Sequence, residues 1–231
     1  MKKTEIAKNL VAIKKQIKNA NLVAVTKYSP IEDLVAAYAA NQFDFGENRV
    51  ADLKEKADYF FANNLKKVKW HFIGHLQTNK VRDLLKIPNL YAIHSIDSLK
   101  LLEEIIKREQ DFVGTELKIF FQVNTSHEEE KSGFESAEEL NLALDFLLSR
   151  SSSSKLKFQG LMTMGTIRTD DFASEASRCF KDLAAIALGI ERARNLKFKV
   201  ELSMGMSQDY KIALECGSDY IRVGSAIFTA N

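Results

Sequence analysis

Short apolar, β-branched runs alternate along the chain with longer stretches whose apolar residues recur every three or four positions. Continuous apolar runs suit strands buried on both faces, and the second period suits helices with one buried stripe. Ile6, Leu10, Ile13 and Ile17 predict a leading helix. The run Asn21-Leu-Val-Ala-Val-Thr-Lys27 predicts the first strand. Ser29-Pro30 then starts a helix with Ile31, Leu34, Val35 and Tyr38 on its apolar face. Further strands are predicted over 42–46, 68–73, 90–94, 117–123, 156–161, 198–202 and 220–223. Between them, helices are predicted over 49–63, 78–86 (ended by Pro88), 137–148, 169–193 and 209–216. One more follows a cap at Ser95 or Asp97 and carries a Glu103–Lys107 pair at four-residue spacing. The serine tract 151–154 reads as a solvated loop.

Eight strands alternating with helices predict a parallel sheet. An open doubly wound sheet usually has fewer strands and a glycine-rich first turn, which this chain lacks. The expectation is an α/β fold, a single-domain (β/α)8 TIM-type barrel spanning residues 1–231 with an extra N-terminal helix. Only residues 225–231 follow the eighth strand, so the leading helix is expected to cover the wall left bare there.

With 45% hydrophobic and 28% charged residues, the composition is that of a globular protein. A net charge of +2 gives no argument for nucleic acid or an anionic membrane as partner. No stretch has the length of a membrane span, and Glu5 interrupts the start where a signal peptide needs an apolar block. A cytoplasmic monomer is expected. Cys179 and Cys216 sit in helical patterns and read as small core residues; Asn124-Thr-Ser126 matches a glycosylation sequon that carries no meaning without secretion.

In parallel barrels, sites form at the C-terminal ends of the strands. Lys27 ends an apolar run there, and an ammonium held in dry surroundings loses its proton more readily and can attack an aldehyde. Ser203-Met204-Gly205-Met206-Ser207 opens a helix, and Gly224-Ser225 follows the last strand; turns after strands seven and eight commonly hold phosphate in this fold. Arg222 near the end of strand eight donates only, so beside a pyridine nitrogen it would favour the unprotonated ring. Pyridoxal phosphate, with its aldehyde and phosphate on opposite sides of one ring, suits this layout. The plainer alternatives are a lysine snorkelling at a strand end, two capped turns and an outward salt-bridged arginine. His71 and His75 do not share a helical face, and no third residue has metal-ligand spacing. The segment 127–131 reads as a solvated charged loop, and Met162 and Met164 as core or rim packing.

Several segments then form a recognisable set: Thr26-Lys27, Phe45-Gly-Glu-Asn48, Trp70-His-Phe-Ile-Gly-His-Leu-Gln-Thr-Asn-Lys80, Ile93-His-Ser-Ile-Asp-Ser98, Gln122-Val-Asn with Glu130-Lys-Ser-Gly133, Gly160-Leu-Met-Thr-Met-Gly165, Leu202-Ser-Met-Gly-Met-Ser207 and Ile221-Arg-Val-Gly-Ser-Ala-Ile-Phe228. Over nearly its whole length the chain resembles the pyridoxal phosphate homeostasis proteins, whose barrel is similar to the N-terminal domain of bacterial alanine racemase. The resemblance implies a pyridoxal 5'-phosphate aldimine on Lys27. It also implies phosphate contacts from Ser203, Gly205, Met206, Gly224 and Ser225, a ring contact from Arg222, and Asn48 beside the same mouth. Arg49 replaces the family's usual aromatic residue after Glu-Asn, and Thr229 replaces the glycine after Ile-Phe.

Three functions compete. The first is a cofactor protein with little or no catalysis that buffers pyridoxal phosphate and hands it to apo-enzymes. The second is a pyridoxal enzyme, a racemase or lyase, and the third a phosphosugar barrel enzyme using Lys27 on its substrate. A racemase needs acid/base groups on both faces of the α-carbon. Alanine racemases draw one from an additional β-domain of a neighbouring subunit, and the expectation here is that no such domain follows Asn231. Binding is the expectation.

Overall fold

Val23, Ala92, Phe120, Met162 and Tyr220 meet inside a closed ring of eight parallel strands, while a larger apolar layer fills the space between ring and helices. Both layers come from the same runs, because successive strand residues point alternately inward and outward. The structure is a computed structural model that describes residues 2–17, 19–128, 130–150, 154–165 and 171–229. The strands are β1 (Asn21–Val25), β2 (Asp44–Glu47), β3 (Lys69–Phe72), β4 (Leu90–Ile96), β5 (Leu117–Gln122), β6 (Leu156–Met162), β7 (Glu201–Ser203) and β8 (Tyr220–Val223). Each pairs with the next, and β1 closes on β8 with Asn21 opposite Tyr220 and Ala24 opposite Val223.

The helices are α1 (Lys2–Lys14), α2 (Ile31–Ala39), α3 (Val50–Ala62), α4 (Val81–Leu85), α5 (Leu99–Lys107), α6 (Ala137–Leu148), α7 (Phe172–Ala193), α8 (Tyr210–Glu215) and α9 (Ser225–Phe228). The leading helix α1 buries Ile6, Leu10 and Ile13, and Asn9 Nδ2 donates to Ile227 O of the short α9. It thus covers the wall between α2 and α9, as the pattern predicts.

Local boundaries differ from the sequence reading in several places. The seventh strand is 201–203 rather than 198–202, since Phe198 is left exposed and only Val200 onward enters the core. The segment 78–86 begins as a 3₁₀ turn and becomes helical at Val81. Ser98, not Ser95 or Asp97, caps α5 by accepting from Leu101 N–H at 3.3 Å; the Ser95 hydroxyl donates to Gly74 O instead. Glu104 takes the basic partners expected of Glu103, with Arg108 at 2.9 Å and Lys107 at 3.8 Å. The start of the seventh helix at Thr169, the first three residues of the serine tract and the chain end at 230–231 lie outside the described residues.

His71 and His94 are fully buried inside the ring. Burial, helped for His94 by the His71 and Arg222 charges, pushes both imidazoles below their ordinary value; for His71 the Asp44 carboxylate opposes it. In the unfolded chain both titrate near ~6.5. On acidification through that value the unfolded state takes up protons that the folded state refuses, so stability is full above it and falls as pH drops. Between pH 7 and 5.5 the protein is expected to lose roughly 1–2.5 kcal/mol, depending on whether one or both imidazoles resist protonation. Urea titrations at the two pH values measure this; a midpoint that does not move would refute it.

Candidate functional site

At the C-terminal end of the ring lies a cavity of about 570 Å³, within the size range of small-ligand sites. Lys27 reaches it from a turn after β1, in which Tyr28 adopts a left-handed φ of 68°. The strand ends at Val25, so the lysine leaves the apolar run before reaching its surroundings and stands exposed. The dry environment expected for it is corrected on that point. Its ammonium meets no hydrogen-bond or ion-pair partner among the described residues.

The floor on which this turn rests is tightly bonded. Thr26 is buried, and its hydroxyl lies 3.1 Å from both Gly46 O and Glu47 Oε1. The fully buried Glu47 carboxylate accepts from the Lys56 ammonium of α3 and, at 3.0 Å, from Asn48 N–H. Lys56 also donates to Thr26 O at 2.8 Å. Glu47 belongs to the Phe45–Asn48 segment already singled out, but its partner Lys56 did not stand out in the sequence, since it lies in an ordinary polar position of a helix. Asn48 borders the cavity and packs against the loop after β3: a Cβ on Gly74 would fall 2.1 Å from Asn48 O. Gly74 is therefore a spacer that admits Asn48 to the rim.

On the opposite side, Met206, Ser207, Gly224 and Ser225 line the cavity. Gly224 N–H donates to Ser207 Oγ at 3.1 Å, which ties the two turns together. Met206 N–H is taken by the Asp209 carboxylate, whose pKa burial raises. The amides of Ser207 and Gln208 have no acceptor among the described residues. Gly205, at φ +93°, does not line the cavity: a Cβ there would meet Ala213 Cβ at 2.6 Å, so its bareness seats α8. Ser203 is also outside the lining; it is fully buried beneath the floor, its hydroxyl between Arg222 Nη1 and His94 Nδ1, each at 2.8 Å.

Arg222 points inward, not to solvent. It borders the cavity, is buried, and donates to Ser203 Oγ and to Thr163 O, both at 2.8 Å. Burial brings its pKa down to about 10, opposed by the Asp209 charge. The arginine remains a cation at neutral pH.

One contributor was misread from sequence. The segment 127–131 is more than a solvated loop: Lys131 borders the cavity and its ammonium bonds Glu128 Oε1 at 2.8 Å and Gly165 O at 3.0 Å. Gly133 makes this possible, because its φ of +143° and missing Cβ let the loop return against Asn124. Met164 lines the cavity, whereas Met162 packs in the ring. His75 also lines it, with Nδ1 3.1 Å from Asp97 Oδ2. Glu129 lies outside the described residues. Arg49, where an aromatic was expected, is exposed and borders a second cavity of about 620 Å³ that shares Asn48 and His75 with the first.

No protein-family model matches the chain. It is 36% identical over 211 residues to a pyridoxal phosphate homeostasis protein of Schizosaccharomyces pombe, covering 91% of this chain and 84% of that one. A human protein of the same name is 38% identical over 210 residues, covering 90% and 75%, and one from Helicobacter pylori 39% over 209, covering 90% and 86%. Among solved structures, PipY of Synechococcus elongatus with PLP bound superposes with a TM-score of 0.84 at 30% identity, covering 96% of this chain and 99% of that one. Alanine racemase from E. faecalis shares the fold, with a TM-score of 0.71 at 15% identity over 100% of this chain and 59% of its own.

Proposed function

The chain belongs to the pyridoxal phosphate homeostasis protein family, and from that premise we propose that its barrel mouth holds pyridoxal 5'-phosphate as a Schiff base on Lys27. The observation that carries this reading is one cavity with a lysine amine on one rim and, on the other, the Ser207 and Gln208 amides and the Ser225 hydroxyl, none of them partnered among the described residues. The donor set fits the group. Lys27 would supply the amine; the Ser207 and Gln208 amides, Gly224 and the Ser225 hydroxyl would face the phosphate, with Met206 closing that side. A Cβ on Gly224 would sit 3.1 Å from Val25 O, so a bare residue keeps this rim close to the lysine side. Asn48 would border the ring.

When bound, pyridoxal phosphate offers an electron sink that depends on a protonated ring nitrogen. Arg222, which can only donate and stays charged at neutral pH, would favour an unprotonated ring nitrogen and so weaken that sink. The protein then serves to retain, buffer and release the cofactor to apo-enzymes in the cytoplasm, as a monomer and with little or no catalysis. Among the described residues no helix is long and apolar enough to cross a membrane.

A catalytic reading has one observation in its favour. His75, oriented by Asp97, borders the same cavity and is placed to act as a second acid/base group. Measurable, Lys27-dependent racemisation of an amino acid at ordinary enzymic turnover would establish that reading in place of the binding one.

The deciding experiment is the absorption spectrum of the purified protein before and after borohydride, followed by peptide mapping. A visible band that borohydride bleaches, with the label on Lys27, is the expected result. A protein that stays colourless when mixed with pyridoxal phosphate, or a label elsewhere, overturns the proposal.

A further inference from the structure

Arg222 and Ser203 stand at one end of a line of buried polar groups that crosses the inside of the ring. Ser203 Oγ meets His94 Nδ1 at 2.8 Å, His94 Nε2 meets His71 Nδ1 at 2.9 Å, and His71 Nε2 meets Asp44 Oδ1 at 3.1 Å. Asp44 opens β2 at the far end of the ring, and Arg222 lies near the mouth end of β8. The line therefore spans the barrel, through groups contributed by β2, β3, β4, β7 and β8.

The chemistry of its ends sets the direction of every bond. A guanidinium can only donate, and an ionised carboxylate can only accept. Starting from Asp44, His71 carries its proton on Nε2, so neutral His71 accepts at Nδ1. His94 then carries its proton on Nε2 and accepts at Nδ1, which the Ser203 hydroxyl supplies. Ser203 Oγ in turn accepts from Arg222. Read from Arg222 the assignment is the same, since the Ser203 proton has His94 as its acceptor. A buried polar network with each donor and acceptor matched is rigid, and reversing one bond leaves unsatisfied groups at both ends.

We infer that His94 and His71 are positioning residues: through Ser203 they form a one-way hydrogen-bond file, anchored on Asp44, that holds the Arg222 guanidinium toward the cavity. The consequence for a bound ring rests on the function proposed above; the file itself does not. Apart from the Asp44 carboxylate, which favours a charged His71, the surroundings favour neutral imidazoles. His94 stacks on Phe120 of β5 at 4.3 Å and 7°, and Tyr220 of β8 and Tyr91 of β4 flank His71. Lys69 of β3 and Lys118 of β5 oppose a further positive charge on His71, as Arg222 does on His94. Glu201 of β7 faces Tyr220, and Asp209 faces Arg222.

Imidazole nitrogen NMR of the cofactor-free protein tests the file directly. Both histidines are expected as the Nε2–H tautomer and uncharged at neutral pH and above. The Nδ1–H tautomer on either, or a cationic imidazole at neutral pH, would overturn the proposal. His94→Phe keeps the aromatic stack but cuts the file; the Arg222 side-chain N–H groups are then expected to exchange with solvent at least tenfold faster, in apo protein. Unchanged exchange in a folded His94→Phe protein would equally defeat it. With cofactor bound, His94→Phe and Asp44→Ala are expected to move the absorbance maximum, a change that lost stability alone does not produce. If borohydride fails to label Lys27 while the tautomers are as assigned, the function proposal fails and the file stands.

Discussion

Lys27→Ala is expected to abolish borohydride-fixable pyridoxal phosphate altogether while leaving the protein folded. No other residue lining the cavity pairs an unpartnered amine with this position: Lys131 borders it too, but its ammonium is committed to Glu128 and Gly165. Lys27 is exposed and contributes no bond to any described residue, so the thermal or urea midpoint should shift by no more than about 0.5 kcal/mol. The contacts proposed to the phosphate from the Ser207–Gln208 turn and Ser225 would remain, so weak reversible binding should persist. A loss of about 100-fold in affinity, roughly 2.7 kcal/mol, is expected by equilibrium dialysis. Lys27→Arg, which keeps the charge but cannot form the imine, should behave like the alanine variant. Full retention of a bleachable band in either variant would remove Lys27 from the site.

Glu47→Ala should cost far more stability, about 3–5 kcal/mol, because it strands the Lys56 ammonium in a buried position. The same carboxylate accepts from Thr26 and from Asn48 N–H, on the two strand ends that deliver Lys27 and Asn48 to the cavity. The urea midpoint should therefore fall together with cofactor retention. Replacing both Glu47 and Lys56 by methionine should recover much of the stability, since no unpaired charge is then buried. Cofactor binding in that double variant should stay weakened, because the tie between the Thr26 and Asn48 turns is still missing. A Glu47→Ala protein within 1 kcal/mol of the parent would show that the pair contributes little.

The alternation of apolar runs with helical stripes by itself determined the order of elements, the parallel ring and the use of α1 to cover its open side. Those features follow from local periodicity, which each segment carries on its own. Lys27, Met206, Ser207 and Gly224-Ser225 were legible as lining one mouth because strand ends in a parallel ring all face the same way; Ser203 and Gly205 were not, since they lie outside its lining. Tertiary structure alone decided what lies inside. His94 and Ser203 are 109 residues apart, and His71 and Asp44 are 27 apart, so no spacing rule joins them. Whether Ser203 faces the cavity or the buried file, and whether Lys131 returns over the mouth, depends on inter-strand register and loop closure. Register is settled by packing across the whole ring at once, and a one-residue shift would have turned each of these side chains to the opposite face.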